Sequence, residues 1–288
     1  MSHPFSIQFY KSPTRRRCLL PVLSVATAGS LFLGSTAEVQ AFSLGDLLRG
    51  GVQVIQGIQL SNMSPEKEVE LGKDINEYLI EEENLKISDN ERLNRYVNNI
   101  GQSLVKESDR SDIPYTFQVV EDDSVNAFAT MGGYVYVHTG LIREADNEAQ
   151  LASVIAHEIG HIAEKHALKQ MSNAAIQRGI ITASGIERTT AIQLGAEFAL
   201  RRPRSREHEY EADRLGANTL GRAGYAQWEM IQFFEKLAGG VSIPEFLSTH
   251  PDTENRIERL KGMFDPQTAK SGYGTNRNTY KSRLNSLM

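Results

Sequence analysis

NEAQLASVIAHEIGHIAEKHA, residues 147–167, decides the reading of this chain. Leu151, Val154, Ile155, Ile159 and Ile162 recur at helical spacing, and Asn147 with Gln150 can cap the start, so the segment is an amphipathic helix. At about 100° per residue, His157 and His161 fall roughly 40° apart on one edge of the apolar stripe, one turn from each other. Both imidazoles can therefore face one metal ion. Glu158 falls inside the stripe, where an unpaired carboxylate costs several kcal/mol by order of magnitude, and a purely structural helix would carry leucine there. Its place there points to a chemical role. Gly160 costs about 1 kcal/mol against alanine in mid-helix, which points to close approach of another backbone.

A hydrolytic zinc site takes three protein ligands and keeps one position open. Candidates for the third are His138, His166, His208, Glu209, Asp213 and His250. In the segment from Arg201 to Gly221, residues Glu209, Ala212, Asp213, Gly216 and Leu220 share one helical face, so two carboxylates one turn apart lead into a packed stripe. Acids on a packed face require a cation. His208 lies about 100° off that face and reads as a surface residue; His166, five residues past His161, reads as structural.

HEIGH (157–161) followed some fifty residues later by SREHEYEAD (205–213) resembles the M48 family of zinc metallopeptidases, over roughly residues 64–264. The resemblance implies that Glu209 is the third zinc ligand and that Asp213 partners a ligand histidine. NAFATMGGYVYVHTGLI (126–142) resembles the family's strand over the active site, and STHPDTENRIERL (248–260) its histidine–proline motif, which implies a place near the metal for His250. Membrane-embedded members have spanning helices between the two main motifs. Here residues 174–200 are interrupted by Arg178, Glu187, Arg188 and Glu197, which removes the case for an intramembrane chamber. The helical repeats that some periplasmic members carry after the peptidase are not expected either.

The fold expected is α+β, predominantly helical and zincin-like, with a small antiparallel sheet made by Tyr115–Val120 and Tyr134–His138. With 288 residues, 23% charged, 40% hydrophobic and a net charge of -5, the chain can bury a sizeable core and shows no electrostatic footprint for nucleic acid. Four cations, Lys11 and Arg15 to Arg17, precede the apolar stretch Cys18 to Gly34, and Val39, Gln40 and Ala41 close it. Residues 1–41 therefore read as a signal peptide cut after Ala41, implying export to the periplasm or the extracellular space. Residues 42–63 read as a linker or amphipathic segment, with a peripheral membrane contact through 42–62 among its readings, 64–264 as the peptidase domain, and 265–288 as a flexible tail.

The activity implied is zinc-dependent endopeptidase cleavage of polypeptides, unfolded or misassembled envelope proteins by the resemblance, with one zinc per chain. Glu158 serves as base and His250 either donates to the oxyanion or occupies the open position. The strand Gly133, Tyr134, Val135, Tyr136 is expected to pair with an extended substrate. The alternative is a zinc-stabilised periplasmic chaperone or assembly factor with a gated, latent site.

Overall fold

The structure, a computed structural model, describes residues 58–60, 62–182, 185–240 and 243–288. The expected leader, 1–41, and most of the segment 42–63 lie outside the described residues. The described end of that segment is tied to the body: Ile58 exchanges two main-chain hydrogen bonds with Ile186, at 2.7 and 3.1 Å, and Leu60 and Met63 are buried.

Helix α1 (Pro65–Glu81) starts as its Ser-Pro signal dictates, with Ser64 as N-cap and proline in the first turn. Helix α2 (Glu91–Val105) buries Leu93, Val97, Ile100 and Leu104, the spacing seen in the sequence. Its cap is Asn90, whose Oδ1 accepts from the Leu93 N–H at 3.1 Å. Just before it, the Ser88 N–H donates to the Val119 carbonyl at 2.8 Å, which ties the approach to α2 to that strand residue.

Strands β1 (Thr116–Val120), β2 (Ala127–Ala129) and β3 (Tyr134–His138) form one sheet in the order β1-β3-β2. The sheet is mixed. β1 runs parallel to β3, with Phe117 opposite Val135 and Val119 opposite Val137, whereas β2 runs antiparallel to it. The antiparallel pairing expected between the two outer segments of sequence is thus corrected: β2 between them adds a second chain reversal, which restores the direction of β1. A turn at Met131–Gly133 closes the β2–β3 hairpin. Gly133 has φ 90°, and a Cβ there would lie 1.9 Å from the Pro114 carbonyl oxygen, so only glycine fits. Alternation along β3 divides the interior: Val135 and Val137 enter one apolar cluster, Tyr136 the other.

Helix α3 (Thr139–Glu144) leads into α4 (Glu148–Ala163), whose cap is Asn147 Oδ1 accepting from the Gln150 N–H at 2.9 Å. From Ala149 to Ile162 every α4 side chain is buried, which makes it the central helix. There follow α5 (His166–Gln177), α6 (Arg188–Arg201), α7 (Arg206–Arg222), α8 (Trp228–Ala238), α9 (Glu245–Thr249), α10 (Thr253–Met263), α11 (Pro266–Ala269) and α12 (Arg277–Leu287). The larger cluster joins α4 to α2, α8, α10, α12 and one face of the sheet; the smaller packs α1, α5 and α6 on the other face. A buried ion pair fastens the two: Arg110 donates to both carboxylate oxygens of Glu68, at 2.9 and 2.7 Å, and to the Ile162 carbonyl at 2.8 Å. Among the described residues no helix is long and apolar enough to cross a membrane.

Residues 265–288 are not the free tail that their Ser, Asn, Thr and Lys content suggested. Tyr280 and Leu284, one turn apart on α12, are buried in the larger cluster, and Tyr280 OH donates to the Ile142 carbonyl at 2.7 Å. Lys281 Nζ caps the end of α3 by donating to the Arg143 and Ala145 carbonyls at 2.7 and 2.8 Å. Leu284→Ala should therefore lower the unfolding free energy by about 2 to 5 kcal/mol in denaturant titration, the usual cost of emptying a buried leucine site. An unchanged midpoint would mean that the segment is free in solution.

Candidate metal centre

The centre is built where α4 meets α7. Gly160 and Gly216 face the opposite backbone: a Cβ on Gly160 would stand 2.7 Å from the Ala212 oxygen, and one on Gly216 2.9 Å from His157 N and Cα. The close approach anticipated at Gly160 is thus that of α7. It places Glu209 and Asp213 across from the two α4 histidines.

The donors converge on one point. His157 Nε2 and His161 Nε2 are 3.0 Å apart, and Glu209 oxygens lie 3.4 Å from each. His250, at the end of α9, brings Nδ1 to 3.1 Å from both His157 Nε2 and Glu209 Oε2. These four residues are buried, and one ligand atom from each lies within 4.8 Å of the others. His138, also weighed as a ligand, bonds Ser124 through Nδ1 at 2.8 Å and takes no part. His208 is half-buried, stacked on His166 with centroids 4.0 Å apart.

The residues around the donors hold them in place. Asp213 Oδ1 lies 2.8 Å from His157 Nδ1. Fully buried Arg256 of α10 donates to both Asp213 oxygens at 2.7 Å, reaches Glu209 Oε2 at 3.0 Å and stands 4.4 Å over the Phe234 ring. It is the cation that two acids on a packed face require. His161 Nδ1 faces His166 Nδ1 at 2.8 Å, and His166 Nε2 faces Glu211 Oε2 at 2.9 Å. Arg204, just before α7, donates to His250 Nε2 at 2.9 Å and lies 3.5 Å from Glu158.

Arg204, Arg256 and Glu211 were not singled out from the sequence, and His166, expected to be structural, is buried between His161 and Glu211. For Arg256 the signal was the demand for a cation, which periodicity states without naming the source. Arg204 falls in an irregular stretch where no pattern speaks for it.

Glu158 is fully buried, and neither of its oxygens has a hydrogen-bond partner. Burial pushes its carboxyl above the usual range, with Arg204 and His157 opposing. Burial also acts on Glu209, but His250 and Arg256 overcome it and hold the carboxyl well below that range. Burial together with Arg204 pushes His161 down, and His250 to about 3.

The arrangement suits a small dication. Tetrahedral ligands on bonds of about 2.0–2.2 Å stand roughly 3.3–3.6 Å apart, close to the separations seen. Three buried carboxylates, Glu158, Glu209 and Asp213, face two buried guanidiniums, Arg204 and Arg256, which leaves negative charge in excess. Glu209 Oε1 is a buried acceptor without a hydrogen bond.

A cleft lined by Ala129, Thr130, Met131, His161, Phe198 and Arg204 reaches one of the donors, His161. The strand along it corrects an expectation. Tyr134, Val135 and Tyr136 belong to β3, which is paired on both sides, and Gly133 lies in the turn before it, so this segment has no free edge for a substrate. Thr130 and Asn126 bond to β3 (Thr130 N to Tyr134 O and His138 N to Asn126 O, both 3.0 Å), so by alternation the main-chain groups of Ala127 and Ala129 point away from it. β2 therefore carries the edge.

Comparison with known proteins agrees with this geometry. The chain is 37% identical over 183 residues to a Vibrio cholerae protein provisionally named a beta-barrel assembly-enhancing protease, covering 57% of this chain and 38% of that one. It is 33% identical over 182 residues to the Escherichia coli beta-barrel assembly-enhancing protease, 57% of this chain and 37% of the relative. It is 34% identical over 179 residues to the mitochondrial metalloendopeptidase OMA1 of Bos taurus, 56% and 34%. The chain thus matches well under half the length of these relatives. The model of peptidase family M48 matches residues 91–264. With that match over more than half its length, and the helix pair that carries both motifs inside it, the chain belongs to peptidase family M48.

Proposed function

We propose that this chain is a zinc-dependent endopeptidase that cleaves unfolded or misassembled envelope proteins. The observation that carries this reading is the buried convergence of His157 Nε2, His161 Nε2 and a Glu209 carboxylate beside a second carboxylate, Glu158, that has no partner. His157, His161 and Glu209 are the residues that would hold one zinc per chain. Zinc bound there supplies Lewis acidity toward the scissile carbonyl and toward the attacking water.

Glu158 takes the proton of the attacking water and returns it to the leaving amine, a task favoured by a carboxyl whose burial raises its proton affinity. Asp213, itself fixed by Arg256, holds His157 with Nδ1 as the N–H and Nε2 toward the metal position. In place of the Gly133–Tyr136 segment, the edge of β2 would align an extended substrate through Ala127 and Ala129, a mode that gives affinity with little sequence preference. The leader supports export, and the names of the bacterial relatives support an envelope setting.

A second reading has its own observation: His250 Nδ1 stands among the ligand atoms, where a fourth ligand would make a latent site suited to a chaperone or assembly factor. Against it, Arg204 donates to His250 Nε2, which leaves Nδ1 as the N–H of a neutral ring and so a donor. His250→Ala should accordingly lower kcat on an unfolded substrate by about 10²-fold, the usual loss for a transition-state donor. Higher activity in that variant would establish the latent site instead.

Glu158→Gln should keep fold and zinc while abolishing cleavage of unfolded casein; wild-type turnover would exclude the mechanism. Elemental analysis should find less zinc in Glu209→Ala and full zinc in His208→Ala, and equal losses would overturn the ligand set. Intact-mass analysis of exported protein should find Phe42 as the first residue; a full-length chain in the membrane fraction would refute cleavage of the leader.

A further inference from the structure

Two imidazoles must each present an unprotonated Nε2 to the metal position, and they are held differently. His157 has a carboxylate of its own, Asp213. His161 has none: its Nδ1 meets another imidazole, His166 Nδ1, at 2.8 Å. A neutral imidazole has one N–H and one lone pair, so of two facing Nδ1 atoms one must donate and the other accept.

Glu211 decides which. An ionised carboxylate only accepts, so at 2.9 Å from Glu211 Oε2 the proton of His166 sits on Nε2. Nδ1 of His166 is then the lone pair, Nδ1 of His161 is the N–H, and His161 Nε2 keeps its lone pair at the point where the donors converge. The reverse order would set a His166 lone pair against the carboxylate and aim the His161 N–H at the metal. The ring of His166 is buried and both of its nitrogens are engaged, one by His161 and one by Glu211, so its orientation is fixed.

We propose that His166 and Glu211 are positioning residues that set the tautomer and direction of His161, doing at one remove for His161 what Asp213 does directly for His157. The inference rests on reading His161 as a metal ligand. Glu164, His166 and Glu211 also lie close enough to hold an ion themselves. The one His166 nitrogen turned toward carboxylates is already the donor to Glu211, which favours the relay.

The test uses the full chain, with zinc affinity measured by competition against a chromophoric chelator and ring tautomers read by nitrogen-15 NMR of the metal-free protein. Glu211 is 45% exposed at its side chain, so Glu211→Ala and Glu211→Gln spare the core, and melting of the metal-free variants should be unchanged. Glu211→Ala should weaken zinc binding by about tenfold, within the range for partners of ligand histidines, and should turn His161 from a single Nδ1–H form into a mixture. His166→Asn, whose Oδ1 can accept where Nδ1 did, should bind zinc more tightly than His166→Leu; if both fold poorly, the Glu211 variants decide.

Wild-type affinity and an unchanged His161 tautomer in Glu211→Ala would overturn the relay. So would a second zinc per chain that disappears with Glu211→Ala, which would make the group a metal site. If the wild-type chain binds no zinc, the reading of the whole centre fails and the relay with it, an outcome distinct from normal binding that ignores Glu211.

Discussion

How near two helix backbones can come governs everything at the centre. Helix axes ordinarily pack 8–10 Å apart, set by the side chains between them, and the lower end needs small residues at the crossing. Gly160 and Gly216 supply these, each lying where a Cβ would strike the other helix. A residue with a side chain at either place would push α7 outward and carry Glu209 and Asp213 with it. The donor separations of 3.0–3.4 Å would then open beyond what one small ion can bridge.

A second constraint is electrostatic. Three carboxylates and several imidazoles sit in a region with almost no access to water, where unpaired charge is costly by several kcal/mol. Arg256 answers most of it from α10: it satisfies Asp213 twice, reaches Glu209 and donates to the His250 carbonyl at 3.1 Å. One guanidinium thus fixes the order of three elements, α7, α10 and the loop after α9. Glu158 is the exception. It faces Arg204 and His250 at 3.4–3.5 Å without a hydrogen bond, a strained placement that a base awaiting a water proton would explain.

The parts of the site within one helix were legible in the sequence. The 3.6-residue periodicity puts His157, Glu158 and His161 together on α4 and Glu209 with Asp213 on one face of α7, and Gly160 signals that a neighbour comes close; the resemblance, not the spacing, picks Glu209 out of the candidate ligands. Periodicity shows a face but not what the face meets. Arg256, Arg204 and the His166–Glu211 contact reach the centre only through tertiary packing, and nothing local marks them. The sheet was misjudged because β2 is three residues long and buried on both faces, so Ala127, Phe128 and Ala129 show no alternation of polar and apolar residues. The C-terminal helix was hidden by composition: two buried residues, Tyr280 and Leu284, suffice to dock it among polar neighbours.

Zinc K-edge absorption fine structure of the full chain, loaded with one equivalent, tests the central claim that the α4–α7 contact builds one metal centre. The account predicts four nitrogen or oxygen neighbours near 2.0–2.1 Å, with the outer-shell scattering of at least two imidazoles. A shell of six oxygens with no imidazole signature would contradict it.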